Sequence, residues 1–329
     1  MATPQVYSDI SPRTAAYAIA PLLKRGDAEL ILEKFGQTYT LPTKSSLVAK
    51  FRRYEALSLA TTPLVEGVTP SGQTPTKTDY TATLQQFGDF IPHSDVIMDT
   101  HEDPLLQEYG ALCMQQAGET IETLRYNVVK GGTNVVYANG TARTDVNTPV
   151  TLTLQRRATT ALLNQRAKHL KEIVSSDARS RKESIEAAFV AIIHPNVVSD
   201  VRNMTGFIPT KAYGSAPAWA NEVGSVEDVR YVRSVLFTAF ADAGGAKGLM
   251  KSTTGTSADV YPIIIFAADS YGIVPLKGTN AMSLIVHNPG KAGSSDPLNQ
   301  RGSVGWKTMQ TSVILNDFWL IRMEVAATA

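Results

Sequence analysis

The side chains in this sequence that could perform acid–base or metal chemistry are few and scattered. His194 ends one apolar, strand-like run and His287 ends another, so the two could share a cleft. Asp269 follows a third apolar run, which is where α/β enzymes often place catalytic groups. An α/β enzyme that uses Asp269, or His194 with His287, is therefore one hypothesis. Histidines bonded to backbone groups and a structural turn at Asp269 are the alternative.

Other motifs lack the flanking elements or neighbouring residues that their chemistry requires. The glycine-rich residues 244–248 do not lie between a strand and a helix, and residues 290–291 lack the Ser or Thr of a phosphate-binding loop. None of the five histidines has the spacing of a metal-binding pair on a helix. The single cysteine, Cys113, lies between apolar neighbours, which predicts a buried, unreactive thiol. We therefore expect no enzyme activity, no cofactor and no metal.

Charge is nearly balanced, with 31 Lys and Arg against 30 Asp and Glu. A protein that grips nucleic acid usually carries a basic excess, so that class is excluded, although weak contact with DNA stays open. A helix predicted over residues 151–174 has a basic side. Its members are Arg156, Arg157, Arg166, Lys168 and Lys171. This side either faces nucleic acid, or is a solvated face or a subunit contact.

A long helix is predicted over residues 104–130. Asp103 is a good N-cap and Pro104 suits the first helical position. The apolar residues that form one stripe along it are Leu105, Tyr109, Leu112, Ala117, Ile121, Leu124 and Val128. A helix of this length spans about 40 Å and is expected to be a structural strut.

The sequence before this helix indicates two features, an N-terminal arm and a two-stranded ribbon. Residues 1–45 are interrupted by four prolines around a short helix from Asp27 to Gly36, and we expect an arm that docks elsewhere. Residues 48–57 and 78–91 favour two strands, and residues 61–77 connect them. A connection of this length without periodicity is usually functional or disordered. We expect something outside the subunit to hold it.

The chain after the helix predicts an alternation of strands and turns. Residues 188–193 and 261–267 are apolar throughout, as in strands that are buried on both faces, with 229–237 and 283–287 as companions. Residues 289–305 predict a link between lobes, and a final strand over 319–325 should pair with the earlier lobe. The longest apolar runs are far short of the ~20 residues of a membrane span.

Several strings, taken in order, resemble the major capsid proteins of tailed bacteriophages, most closely the N-four-like podophage branch. The most distinctive is TTPLVEGVTP (61–70), flanked by FRRY (51–54) and DYTA (79–82). Further along are GTNVVYA (132–138), HP (194–195), NEVG (221–224) and GWK (305–307). Together the strings extend from about residue 25 to 325, nearly the whole chain.

The resemblance implies the α+β shell fold of tailed phages, herpesvirus capsid floors and encapsulins. Its parts would be an N-terminal arm (1–45), an extended β-loop (46–92) and a peripheral domain (93–187) with a spine helix (104–130). An axial domain (188–304) and returning strands of the peripheral domain (305–329) would follow. The implied function is a major capsid protein that assembles as hexamers and pentamers into an icosahedral head around double-stranded DNA. An encapsulin-like compartment is the alternative within the fold.

The resemblance also implies partners and contact residues. The residues expected to contact neighbouring subunits are Pro63, Leu64, Val65, Glu66, Gly67, Val68, Pro70 and Lys77, and those that could face the genome are Arg156, Arg157, Arg166 and Lys168. No scaffolding segment precedes the arm, so a separate scaffolding protein is expected, with a portal protein and a decoration protein as further partners. Lys77 has no identifiable Asn for a covalent cross-link. The subunit is expected to be made in the host cytoplasm and to end in the virion capsid.

Overall fold

The computed structural model describes residues 30–44, 46–69, 71–100, 105–174, 182–214, 217–277, 282–289, 298 and 300–329. The helices are α1 (Asp95–Thr100), α2 (Leu105–Lys130), α3 (Leu152–Asn164) and α4 (Val198–Arg202). The strands are β1 (Gln37–Thr38), β2 (Val48–Tyr54), β3 (Lys77–Thr83), β4 (Gln85–Ser94), β5 (Val135–Tyr137), β6 (Leu170–Val174), β7 (Lys182–Ile193), β8 (Phe207–Pro209), β9 (Glu222–Val226), β10 (Val229–Arg233), β11 (Val260–Phe266), β12 (Tyr271–Pro275), β13 (Met282–His287), β14 (Arg301–Ile314) and β15 (Leu320–Ala326). This is the expected α+β class.

The larger sheet has eight strands in the order β5-β15-β11-β7-β10-β9-β8, with β6 paired to β7. Every residue of β11 and of β15 is buried, because helices and loops cover both faces of the sheet. One face packs against Leu154, Ala158 and Leu162 of α3. The other face packs against Tyr126 and Val129 of α2. The predicted buried strands are confirmed, and the final strand pairs with β5 and β11.

The second sheet has five strands and is organised around β14. One edge of β14 pairs with β4 from Arg301↔Ser94 to Gln310↔Gln85, and the other edge is shared by β13 and β12. The predicted boundaries placed β4 with the extended loop and β12 and β13 with the axial domain. In the structure these three strands pair with β14, whose 14 residues offer two long edges to satisfy. The domain boundaries themselves stay a prediction. The predicted link over residues 289–305 also ends earlier, at the start of β14.

Helix α2 confirms the predicted strut, although Asp103 and Pro104 lie outside the described residues. Its first half packs Tyr109, Cys113 and Ala117 against Val304 and Trp306 of β14. The predicted stripe was correct for Tyr109, Ala117 and Ile121 but wrong for Leu112, which is exposed. The side chains of Tyr126 and Val129, which the stripe omitted, are fully buried in the second half of the helix.

The predicted helix over residues 151–174 was wrong beyond its middle. Thr151 is the N-cap, with its hydroxyl oxygen accepting from the Leu154 amide at 3.3 Å, but α3 ends at Asn164. The chain then turns through Arg166, whose φ is 55°, and the Ala167 amide donates back to the Leu162 carbonyl. Residues 170–174 form β6 instead, because they find backbone partners on β7.

The described part of the arm docks on its own chain, which corrects the expectation that it docks elsewhere. Ile31, Leu32 and Phe35 are buried in the core between α2 and the larger sheet, around a 3-10 turn at Leu32–Lys34. Residues Gln37–Thr38 then pair with β12. Asp27 and the rest of residues 1–29 lie outside the described residues. Among the described helices, none is long and apolar enough to span a membrane.

Candidate assembly surface

Strands β2 and β3 form a two-stranded ribbon whose base is fixed to the five-stranded sheet. Their register runs from Val48↔Thr83 to Tyr54↔Lys77. At the base, Ala49 and Ala82 are buried with Leu41, Leu84 and Val274. The predicted second strand, 78–91, is divided at Leu84: the part before it pairs with β2, and the part after it joins β14.

Polar pairs stiffen the far end of the ribbon. Arg52 binds both carboxylate oxygens of Asp79, at 2.8 and 3.0 Å, and this bidentate contact holds the pKa of Asp79 below its usual range. The Glu55 carboxylate accepts from Arg53 at 3.0 Å and from the Thr78 hydroxyl at 2.9 Å, and its pKa is also lowered. These contacts hold the two antiparallel strands together as far as residue 55.

Beyond the ribbon lies the loop tip, defined here as residues 56–76. All of its described residues are exposed. Ser58 and Gln73 join its two sides, because the Gln73 amide donates to the Ser58 carbonyl at 3.0 Å. At its end, the Val68 amide donates to the Val65 carbonyl at 3.2 Å, and Gly67 occupies the left-handed region with φ 75°. A glycine suits this turn because it carries no Cβ.

The loop tip carries apolar side chains that nothing in the described part of the chain covers. Leu59 is 80% exposed, Leu64 79% and Val65 67%, and Leu57 and Val68 are also mostly exposed. The predicted contact residues Pro63, Glu66 and Lys77 are exposed as well, whereas Pro70 lies outside the described residues. A cluster of exposed apolar residues on a tethered loop indicates a contact surface for another molecule.

The predicted genome-facing cations do not lie on one helix face. Arg156 is on α3 and forms an ion pair with Glu227, while Arg157 donates to the Tyr137 carbonyl at 3.1 Å. Arg166 lies in the turn after α3, and Lys168 lies beside the Trp319 ring, 5.9 Å from its centroid. All four are exposed, but the early end of α3 separates the last two from the first two.

The residues of the enzyme hypothesis are not brought together. His194 directly follows β7 of the eight-stranded sheet, where its Nδ1 accepts from the Asn196 amide at 3.1 Å. His287 lies on β13 of the other sheet. Asp269 is an exposed turn residue with φ 60°. His194 therefore has the backbone-bonded role that was the alternative, and burial lowers its pKa.

Two further observations concern metal and thiol chemistry. Within the described residues, no group of three or more His, Cys, Asp and Glu side chains could hold a metal ion. Cys113 is buried, as predicted, and burial raises the pKa of its thiol. A raised pKa disfavours the nucleophilic thiolate.

A family model described as phage capsid protein matches residues 77–307. Among solved structures, the capsid of the cyanophage P-SCSP1u is similar at TM-score 0.63 and 15% identity, covering 96% of this chain and 94% of that chain. The capsid of Ralstonia phage GP4 is similar at TM-score 0.64 and 11% identity, over 97% and 99% of the two chains. The capsid of cyanophage Pam1 is similar at TM-score 0.64 and 12% identity, over all of both chains. No curated protein matches.

Two sheets joined by a long helix, with an exposed loop on a paired ribbon, form a fold that is similar to the solved phage capsid structures. The chain belongs to the phage capsid protein family. It is a major capsid protein, a subunit of a phage head and thus a component of the virion capsid. The encapsulin-like alternative is not favoured, and membership of a structural family implies a role that is not enzymatic.

Proposed function

We propose that this subunit assembles as hexamers and pentamers into an icosahedral shell around double-stranded DNA, and that the loop tip binds a neighbouring copy. The observation that carries the proposal is the exposure of the apolar side chains of Leu59, Leu64 and Val65 at the end of an ordered ribbon. Solvent-exposed apolar residues at one place on a tethered loop gain free energy when a second copy covers them.

The energetics favour this arrangement because the ribbon is ordered before it binds. Its base is buried, its strands are paired and its tip is closed by the Ser58–Gln73 contact. Little conformational entropy is therefore lost when a neighbour docks. Covering one Leu and one Val contributes about 3–6 kcal/mol per contact. Each such contact is modest, but closure of a shell makes the later contacts effectively intramolecular.

Several partners belong to the same proposal. A scaffolding protein would guide assembly in the host cytoplasm, a portal protein would occupy one vertex, and a decoration protein could bind the finished shell. Packaged DNA would make weak, non-specific contact with exposed cations such as Arg157, Arg166 and Lys168. The near-neutral net charge of +1 supports dense packing, since it limits repulsion between many copies.

The test replaces the apolar end of the loop tip. In the Leu64→Ser/Val65→Ser variant, we expect a folded subunit whose critical assembly concentration rises at least about a hundredfold, the effect of losing about 3 kcal/mol per contact. Light scattering and electron microscopy measure assembly, and circular dichroism measures folding. The matched control, Thr62→Ser/Thr69→Ser, changes exposed residues of the same loop and should assemble normally. Normal shells from both variants would contradict the proposed contact.

A further inference from the structure

A buried carboxylate holds the segment that follows the arm. Glu122 of α2 is fully buried, and its Oε1 accepts from the backbone amides of Ile31 at 3.2 Å and Leu32 at 3.0 Å. These amides open the 3-10 turn at Leu32–Lys34, so the carboxylate caps the turn from a helix that is 90 residues away in the chain. Ile31 and Leu32 are buried in the same contact.

The second oxygen of this carboxylate has no hydrogen-bond partner in the described part of the structure. Arg125 lies one turn further along α2, but its guanidinium is directed to other groups: Nη1 contacts Glu33 at 3.2 Å and Nη2 donates to Gln310 at 3.1 Å. A buried carboxylate that lacks a full set of partners is costly in its ionised form. The stability of the docked segment, residues 30–35, therefore depends on whether Glu122 is ionised.

The groups that surround Glu122 shift its pKa in opposite directions. Burial raises the pKa of Glu122 to about 7, and the charge of Glu33 adds to the rise, while the two amides and Arg125 oppose it. Tyr271 of β12 also faces the site, where its hydroxyl donates to the Leu32 carbonyl at 2.6 Å, and burial raises its pKa well above the ordinary value. Gln310 of β14 is uncharged. Burial is the largest effect.

We propose that Glu122 is a proton-controlled latch, which holds residues 30–35 against α2 when the carboxyl is neutral and holds them more weakly when it is ionised. Residues 30–35 are the first described residues of the chain, so the latch holds the point at which the described chain begins. The subunit thereby couples the attachment of residues 30–35 to pH. This device is separate from the loop tip and does not depend on how the loop tip is used.

The sign of the effect follows from proton linkage. When the segment is released, water reaches Glu122 and its pKa returns towards the ordinary value of 4.5, whereas in the docked state it is about 7. The docked state therefore binds the proton more tightly. Docking is strongest below about pH 4.5, weakens as the pH rises towards 7, and changes little above it. Between pH 5 and pH 8, the opening equilibrium should rise on the order of fiftyfold.

The experiment is hydrogen–deuterium exchange of the full-length subunit between pH 5 and pH 8.5, corrected for the intrinsic rate. A peptide covering residues 30–36 should show the fiftyfold rise in opening, while a peptide from β11 serves as the reference for global unfolding. Glu122→Gln keeps an oxygen acceptor but cannot ionise, so its opening should not depend on pH. Glu119→Gln, one turn earlier and partly exposed, is the matched control and should behave like the wild type.

A second variant keeps the inference testable if Glu122→Gln does not fold. Glu33→Gln removes the charge that raises the pKa of Glu122 and releases Arg125 from its ion pair. The midpoint of the pH-dependent opening should then move to lower pH. A wild-type peptide with no pH dependence beyond the β11 reference would overturn the inference. An unchanged midpoint in Glu33→Gln, or a retained slope in Glu122→Gln, would also overturn it.

Discussion

At the scale of residues, Glu324 is the centre of a buried charge network between the last strand and the loop after β5. Its carboxylate is fully buried and accepts from Arg143 twice at 2.7 Å and from Arg322 at 2.9 Å. Arg143 also stacks on the ring of Phe240 at 3.5 Å. Arg322 continues the network to the end of α2, where it donates to the carbonyls of Lys130 and Gly132. Two arginines thus share one carboxylate.

Removing the charge of Glu324 should therefore destabilise the subunit. In Glu324→Gln, two guanidiniums lose their anionic partner in a buried site, and we expect a loss of about 3 kcal/mol in the free energy of unfolding. Urea denaturation followed by tryptophan fluorescence measures it. Glu227→Gln is the control, because the Glu227–Arg156 pair is exposed and should contribute less than about 1 kcal/mol. Equal losses in the two variants would contradict the role given to burial.

At the scale of elements, the helices and strands whose residue pattern is continuous along the chain were predicted well. Helix α2 and the apolar strands β7 and β11 follow from local spacing, since each pattern ends where the element ends. The loop tip was also predicted, from its prolines and its lack of an apolar period. In each case the information lies within the segment itself.

Elements whose limits depend on distant partners were not predicted. The strand-like run over residues 78–91 gives no sign that its second part leaves β2 for β14, more than 200 residues later. The apolar spacing of α3 continues through its end to Ile173, so the turn at Arg166 was missed. The docking of residues 30–35 depends on Glu122, whose role cannot be read from its own neighbours. Tertiary pairing decided all three.

The start of α3 offers a test of a local signal. Thr151 accepts from the Leu154 amide, so Thr151→Ala should lower the free energy of unfolding by about 1 kcal/mol through loss of the N-cap. Thr153→Ala, at an exposed position in the first turn, should be neutral or slightly stabilising because alanine has the higher helix propensity. Urea denaturation of both variants measures the difference. A Thr151→Ala variant as stable as Thr153→Ala would show that the cap contributes nothing.

At the scale of the whole molecule, α2 joins the two sheets and the ribbon projects from one of them. The helix is about 39 Å long, with its first half in the core of the five-stranded sheet and its second half in the core of the eight-stranded sheet. The ribbon base is buried against β12 of the five-stranded sheet. Each subunit therefore presents its loop tip at a fixed place on its body. In the proposed contact, we expect this tip to dock on the body of a neighbour and not on the neighbour's own tip.

A contact between two different surfaces is heterologous, and repeating it around a ring gives every subunit one donated and one received tip. Mixing wild-type subunits with the Leu64→Ser/Val65→Ser variant should therefore reduce assembly more steeply than the variant fraction. With one fifth variant, only about a quarter of six-membered rings would retain every functional tip. Shell yield in titrated mixtures, measured by sedimentation, tests this expectation, with Thr62→Ser/Thr69→Ser mixtures as the control. A yield that falls in simple proportion to the variant fraction would mean that subunits contribute independently, and the head-to-tail arrangement would then be wrong.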